Sequence, residues 1–240
     1  MRVLDLDVNR LESLRIVSFA VFCQFFVPLG AGAEIAKFLK LRGLTPQRRA
    51  LVSAAAIVVE HLLGLLALVA TASVLFAILR PFAMQVNVLV VAITALTIVA
   101  LAATLLLRRQ AGTGLDASRV LAGLRAHKCD AALALVWSLL MHMLLAAVVY
   151  VGSLTWAMTL GYWQILLVLS AAGVFQAVPA TLVGVGVADV AGTGLYVALG
   201  LPLSSAVVLV SLLYSYRLLI ALLGGLWELG KARRAVTVTR

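Results

Sequence analysis

The sequence predicts an all-α polytopic membrane protein, with about four full transmembrane helices and two re-entrant or broken helical hairpins in an inverted repeat. Three observations carry that fold class. Hydrophobic residues fill 64% of the 240 positions, charged residues only 12%, and the mean hydropathy is +1.15. Soluble domains run near half apolar and a quarter charged. Apolar stretches at 50–79, 86–107, 131–151 and 204–227 each exceed the roughly 18 residues that suggest a span. Two further apolar segments are broken by proline and glycine. The alternating pattern of a β-barrel is absent, so the spans are expected to be helices that satisfy their own backbone hydrogen bonds. The whole chain, 1–240, reads as one integral membrane domain.

The direction of each span follows from where the charge lies. The formal net charge is +10, and the basic residues gather at span ends. Lys37, Lys40, Arg42, Arg48 and Arg49 form one cluster, and Arg108, Arg109, Arg119, Arg125 and Lys128 a second. Lys231, Arg233, Arg234 and Arg240 form the third. Such clusters mark the cytoplasmic side, which favours contact with anionic lipid over nucleic acid as the meaning of the charge. The loop 156–163 and residues 200–203 hold no Lys or Arg and are expected outside. Spans 50–79 and 131–151 then run outward, and 86–107 and 204–227 run inward. Trp156, Tyr162 and Trp163 mark the outer interface and Trp227 the inner one. The expected location is the cell (inner) membrane, multi-pass, with a cytoplasmic C-terminus. The mixed charges of residues 1–15, with no small-residue cleavage site after the first apolar run, do not read as a signal peptide.

The first broken segment is apolar over 16–27 and stops at Pro28, Gly30 and Gly32, after which 34–41 carries charge. The second is apolar over 164–178, breaks at Pro179, Gly184 and Gly186, and resumes over 187–199. With the flanks placed by charge, each must return to the side it came from. Both are therefore read as re-entrant hairpins, the first dipping from inside and the second from outside. Such backbone is tolerated at membrane depth only under cover of protein or water. One full span plus a surface helix at each place is the alternative. Residues 108–130 form a polar linker at the cytoplasmic interface, in which Asp116 is placed to cap a short amphipathic helix.

The broken segments resemble each other. Val27-Pro28, Gly30 to Gly32, Glu34 and Gly43 lead into the helix bearing Glu60 and His61. Val178-Pro179, Gly184 to Gly186, Asp189 and Gly200 lead into the helix bearing Tyr216 and Arg217. Gly43 to Glu60 is 17 positions, as is Gly200 to Arg217. Repeat 1 covers about 16–79 and repeat 2 about 163–227, and the charge map gives them opposite direction. Inverted repeats around broken helices place a site at their interface in many transporters.

Ionised residues inside a membrane are costly and should face protein or water. Glu60 and Arg217 each stand ten positions from the cytoplasmic end of their span, about 15 Å at 1.5 Å per residue. They are expected to pair, either as a static bridge or in a polar substrate path. Glu34 and Asp189, just after the glycine breaks, either cap a half-helix N-terminus or line that path. His142 reads as a satisfied structural histidine. No catalytic residue, metal site or cofactor is expected. Gly184-x-Gly186 lacks the third glycine of a dinucleotide fingerprint, no phosphate-loop lysine follows either break, and no nucleophile elbow is present. Cys23 and Cys129 alone make neither a disulfide framework nor a metal site.

The run from Val27 to Lys37 with Glu60-His61, and Pro179 through Asp189 with Tyr216-Arg217 and Leu223-Gly224-Gly225-Leu226, resembles the transmembrane flippase region of lysylphosphatidylglycerol synthases. The resemblance extends from about Ile16 to Trp227. It departs at Asp189, where the family usually has glutamate, and at His61, where arginine is common. Members generally carry further spans before the first motif, and the soluble aminoacyl-transfer domain has no counterpart here. The resemblance implies translocation of a phospholipid or polyprenyl-linked lipid without ATP hydrolysis, and no enzymatic activity. The alternatives are a non-transporting subunit of a lipid- or glycan-modifying pathway, or a small-solute carrier. The partners it implies are membrane lipids, anionic ones among them, with a second copy of the chain or a lipid-modifying enzyme as further options.

Overall fold

The structure, a computed structural model, describes residues 9–26, 32–44, 50–80, 125–156, 158–177, 181–182 and 185–238. Seven α-helices make up nearly all of it: α1 Arg10–Phe26, α2 Gly32–Leu44, α3 Ala50–Leu79, α4 Lys128–Thr155, α5 Tyr162–Val174, α6 Val187–Ala198 and α7 Leu203–Val238. The span expected at 86–107, the linker helix near Asp116, and Pro28, Gly30, Pro179 and Gly184 lie outside the described residues.

Among the described residues, three helices are long and apolar enough to cross a membrane, over Ala56–Leu79, Lys128–Thr155 and Leu203–Gly230. The others are shorter. At 1.5 Å per residue, the 13 residues of α2 or α5 and the 12 of α6 reach only about 20 Å. A hydrocarbon core of roughly 30 Å exceeds that.

Where the sequence breaks, the chain does so by specific local structure. After α5 comes one 3-10 turn, Phe175–Ala177, then a minimal antiparallel ribbon pairing Thr181 with Gly186 and Leu182 with Val185. The Gly186 N–H then donates to the Asp189 carboxylate at 2.8 Å, capping the start of α6. Gly161 and Gln164 repeat the device at the start of α5, with an N–H to Oε1 distance of 2.9 Å. α6 ends in a Schellman turn: the Leu201 N–H reaches the Tyr196 carbonyl at 3.1 Å and the Gly200 N–H reaches Val197 at 2.9 Å. Gly200 sits at φ +96°, where a Cβ would be strained.

The helices pack in a reciprocal arrangement. α1 lies chiefly against α7 and α2, while α5 lies chiefly against α3. The opening helix of each broken segment thus seats on the long closing helix of the other. α1 and α7 come close because Gly224 and Gly225 have no side chains. A Cβ on Gly224 would stand 2.2 Å from the Ser18 carbonyl oxygen.

The larger apolar core joins the ends of α3, α4 and α6 to the starts of α5 and α7, through Phe76, Val149, Ile165, Leu167, Tyr196 and Leu209. A much smaller cluster, Ile16, Leu41 and Ile57, joins α1, α2 and the early part of α3. One end of the bundle is therefore closed by tight apolar packing. The other, where the basic residues of the sequence gather, is held differently.

Candidate functional site

Both short helices that follow a break carry an acid at their third residue, and each long helix that comes next supplies a polar side chain against it. In α6 this acid is Asp189, which is buried. One carboxylate oxygen takes the Gly186 N–H; the other accepts from Nη2 of Arg217 on α7. Arg217 Nε is buried with no hydrogen-bond acceptor among the described residues. A buried donor left unpaired costs about 1–3 kcal/mol, more when charged, so that nitrogen marks a place where an acceptor would be favoured.

In α2 the acid is Glu34. Its Oε1 lies 3.4 Å from Nε2 of His61 on α3, and its Oε2 is buried without a partner among the described residues. The other ring nitrogen of His61 faces the Ile57 carbonyl at 3.2 Å. Glu60, beside His61, takes the ammonium of Lys37 at 2.9 Å.

The expected Glu60–Arg217 pair does not form. Each residue takes its partner from the short helix of its own segment. Equal depth fixes how far along a helix a charge lies but not which way it points, and each residue turns a helix by about 100°. α2 packs on α3 and α6 on α7, the long helix that follows each, so the nearest partner is local. The residue of α3 that faces the acid of α2 is accordingly His61, while Glu60 faces Lys37. A double-mutant cycle is expected to show coupling of about 1–3 kcal/mol between Asp189→Asn and Arg217→Gln. Glu60→Gln and Arg217→Gln should add within about 0.5 kcal/mol. Thermal unfolding in detergent micelles measures both.

Beside the Asp189–Arg217 pair, a cavity of about 270 Å³ runs between α6 and α7, lined by Val185, Asp189, Val190, Thr193, Val207 and Ser211. Val190 is 70% exposed and Val207 47%. The groove is therefore open sideways along its valines, and Asp189 supplies the charge in its lining.

A second cluster of charges ties α1, α2 and α7 together, and sequence reasoning does not single out its centre, Glu228. Glu228 Oε2 accepts from Arg15 Nε at 2.8 Å and Nη2 at 2.7 Å, and Oε1 accepts from Lys40. Arg15 also reaches Glu12 at 2.7 Å. An acid placed directly after Trp227, at the head of a basic tail, is the signal that could have found it. His142 bonds its own helix, with Nδ1 2.6 Å from the Ser138 carbonyl. Among the described residues no three His, Cys, Asp or Glu side chains gather as metal ligands.

Residues 1–225 match the family described as the lysylphosphatidylglycerol synthase TM region. The chain belongs to this family. Comparison with curated proteins and with solved structures gives no match. Membership of the lysylphosphatidylglycerol synthase TM region family, together with the long apolar helices, makes this a multi-pass membrane protein. Both paired acids of the broken segments fall inside the matched residues, and so does Arg217; Glu228 lies just beyond them.

Proposed function

We propose that this protein translocates a phospholipid or polyprenyl-linked lipid across the cell (inner) membrane, without ATP hydrolysis and without covalent chemistry of its own. The observation that carries the reading is the α6–α7 groove, with its exposed valines and, in its lining, Asp189, the ion-pair partner of Arg217. Acyl chains would stay in the bilayer along the valines while the headgroup passes Asp189. The unpartnered Arg217 Nε suits a phosphate oxygen, because guanidinium N–H groups bind phosphate with geometric specificity.

In this reading the broken segments are re-entrant hairpins of an inverted repeat, with the C-terminus in the cytoplasm. Support comes from the reciprocal seating of α1 on α7 and α5 on α3, and from an acid at the third residue of both α2 and α6. It comes also from helices too short to span. Glu34 with His61 would be the polar step of the first repeat, and Asp189 with Arg217 that of the second. Glu60, paired with Lys37, would hold α2 in place. The partners are membrane lipids, anionic ones in particular.

Reconstitution tests it. Purified protein in liposomes is expected to move labelled phospholipid or polyprenyl phosphate between leaflets. Arg217→Gln should slow that movement at least tenfold in protein that is still folded, an effect of about 1.4 kcal/mol or more on the barrier. Liposomes whose labelled lipids stay unscrambled under every gradient tried would rule the reading out.

A further inference from the structure

The cluster around Glu228 has the geometry of an anion site that is already filled. Arg15 comes from α1 and Lys40 from α2, and they converge on one carboxylate of α7, each taking a different oxygen. A phosphate presents two non-bridging oxygens in much the same way. Lys40 is held from behind as well, its ammonium 4.9 Å from the centroid of the Phe19 ring. It would keep its place if the carboxylate left. Beside the three charges lies a second cavity of about 270 Å³, which Glu12 and Leu39 also line.

None of the charged side chains is sealed away: Arg15 is 12% exposed, Glu228 20% and Lys40 31%. A largely buried charge left without a partner is costly, so Arg15 and Lys40 would give up the carboxylate only to another anion that neutralises them. This end of the bundle is also the one without the large apolar core. Charges act there together with a small packed cluster.

We propose that Arg15 and Lys40 form an oxyanion site, separate from the α6–α7 groove, that takes the phosphate of an anionic lipid headgroup. Glu228 is its resident counter-ion, displaced when the lipid binds. Displacement frees α7 from α1 and α2 at this end while Arg217, 11 residues earlier and about 16 Å along the same helix, stays paired. Inorganic phosphate offers the same oxygens, so the test separates the two sources.

The measurement is equilibrium binding of short-chain (dioctanoyl) phosphatidylglycerol to the full chain in detergent. Glu228→Gln, which removes the competing charge, is expected to bind at least tenfold more tightly. The double variant Arg15→Gln, Lys40→Gln is expected to bind at least tenfold more weakly. Lys128→Gln, at an exposed residue of α4 outside both sites, should bind as the unaltered protein does. Because binding and not transport is read, this result and the groove reading can fail independently. Equal affinity in all four proteins would overturn the site. Full displacement of the lipid by millimolar inorganic phosphate would overturn its assignment to a lipid headgroup.

Should Glu228→Gln fail to fold, a native thiol supplies the readout. Cys23 on α1 is within electrostatic reach of both Lys40 and Glu228, and Cys129→Ser leaves it the sole cysteine. Saturating lipid should change the maleimide labelling rate of Cys23 at least threefold as Glu228 moves away. Lipid bound with no change in labelling would overturn displacement.

Discussion

Asp189→Ala is expected to abolish lipid translocation and to destabilise the protein by about 3–5 kcal/mol, more than any other single charge removal in the groove. The carboxylate has two separate jobs. One oxygen caps the first turn of α6 through the Gly186 N–H, and losing such a cap costs about 1 kcal/mol. The other neutralises Arg217, which is 23% exposed at its side chain and has a buried Nε with no acceptor among the described residues. Without its acid, the guanidinium becomes a largely buried unpaired charge. Asp189→Asn separates the two jobs, because the amide oxygen still accepts the Gly186 N–H but brings no charge. It should retain roughly the cap, losing about 2–3 kcal/mol instead, and should translocate as poorly as the alanine variant. Asp189→Glu, the residue usual in the family, should keep both charge and cap. Melting temperatures in detergent, with leaflet-exchange rates in liposomes, rank the three. Equal stability of the alanine and unaltered proteins would mean that the pair does not hold α6.

The fold class was legible because it rests on quantities summed over many residues. Hydropathy averaged over 30 positions leaves little room for error, and residues 50–79 emerge as the helix Ala50–Leu79. The breaks were legible too, since proline and glycine act locally: α1 stops at Phe26 before Pro28, and α6 starts at Val187 after Gly186. Pairing was not. Glu60 and Arg217 match in depth, but depth is one coordinate of three. Their real partners, Lys37 and Asp189, are set by how α2 and α6 fold back beside α3 and α7. Lys37 and Lys40 read in sequence as orienting charges; in the structure each also holds an acid of another helix. Glu228 was hidden for a related reason. It is one acid within a basic tail, and only the approach of α1 and α2 brings Arg15 and Lys40 to it. Composition reports what a charge costs, whereas the route of the chain decides what neutralises it.

The approach of α1 to α7 depends on a single atom that is missing. Gly224→Ala would place a Cβ 2.2 Å from the Ser18 carbonyl oxygen and 2.4 Å from its carbonyl carbon. Those are backbone atoms within α1, so no rotamer change can relieve the clash. The helices must separate, at a cost expected in the overpacking range of about 1–3 kcal/mol, towards its upper end. Gly225→Ala meets the Phe22 ring at 2.6 Å, a side chain able to move, and should cost less. The order Gly224→Ala worse than Gly225→Ala follows from what each Cβ meets, not from helix propensity, which would favour alanine over glycine at both positions. Separation also has a distant effect. Arg15 stands three residues before Ser18, and Glu228 four after Gly224, so both lie within about one turn of the contact. Moving α1 outward by even 1 Å stretches hydrogen bonds of 2.7 and 2.8 Å past their useful range. Gly224→Ala is therefore expected to lower the melting temperature and to expose Cys23 to maleimide, whereas Gly225→Ala leaves labelling near its native rate. A Gly224→Ala protein that melts and labels like the unaltered one would mean that α1 does not seat on α7 through this contact.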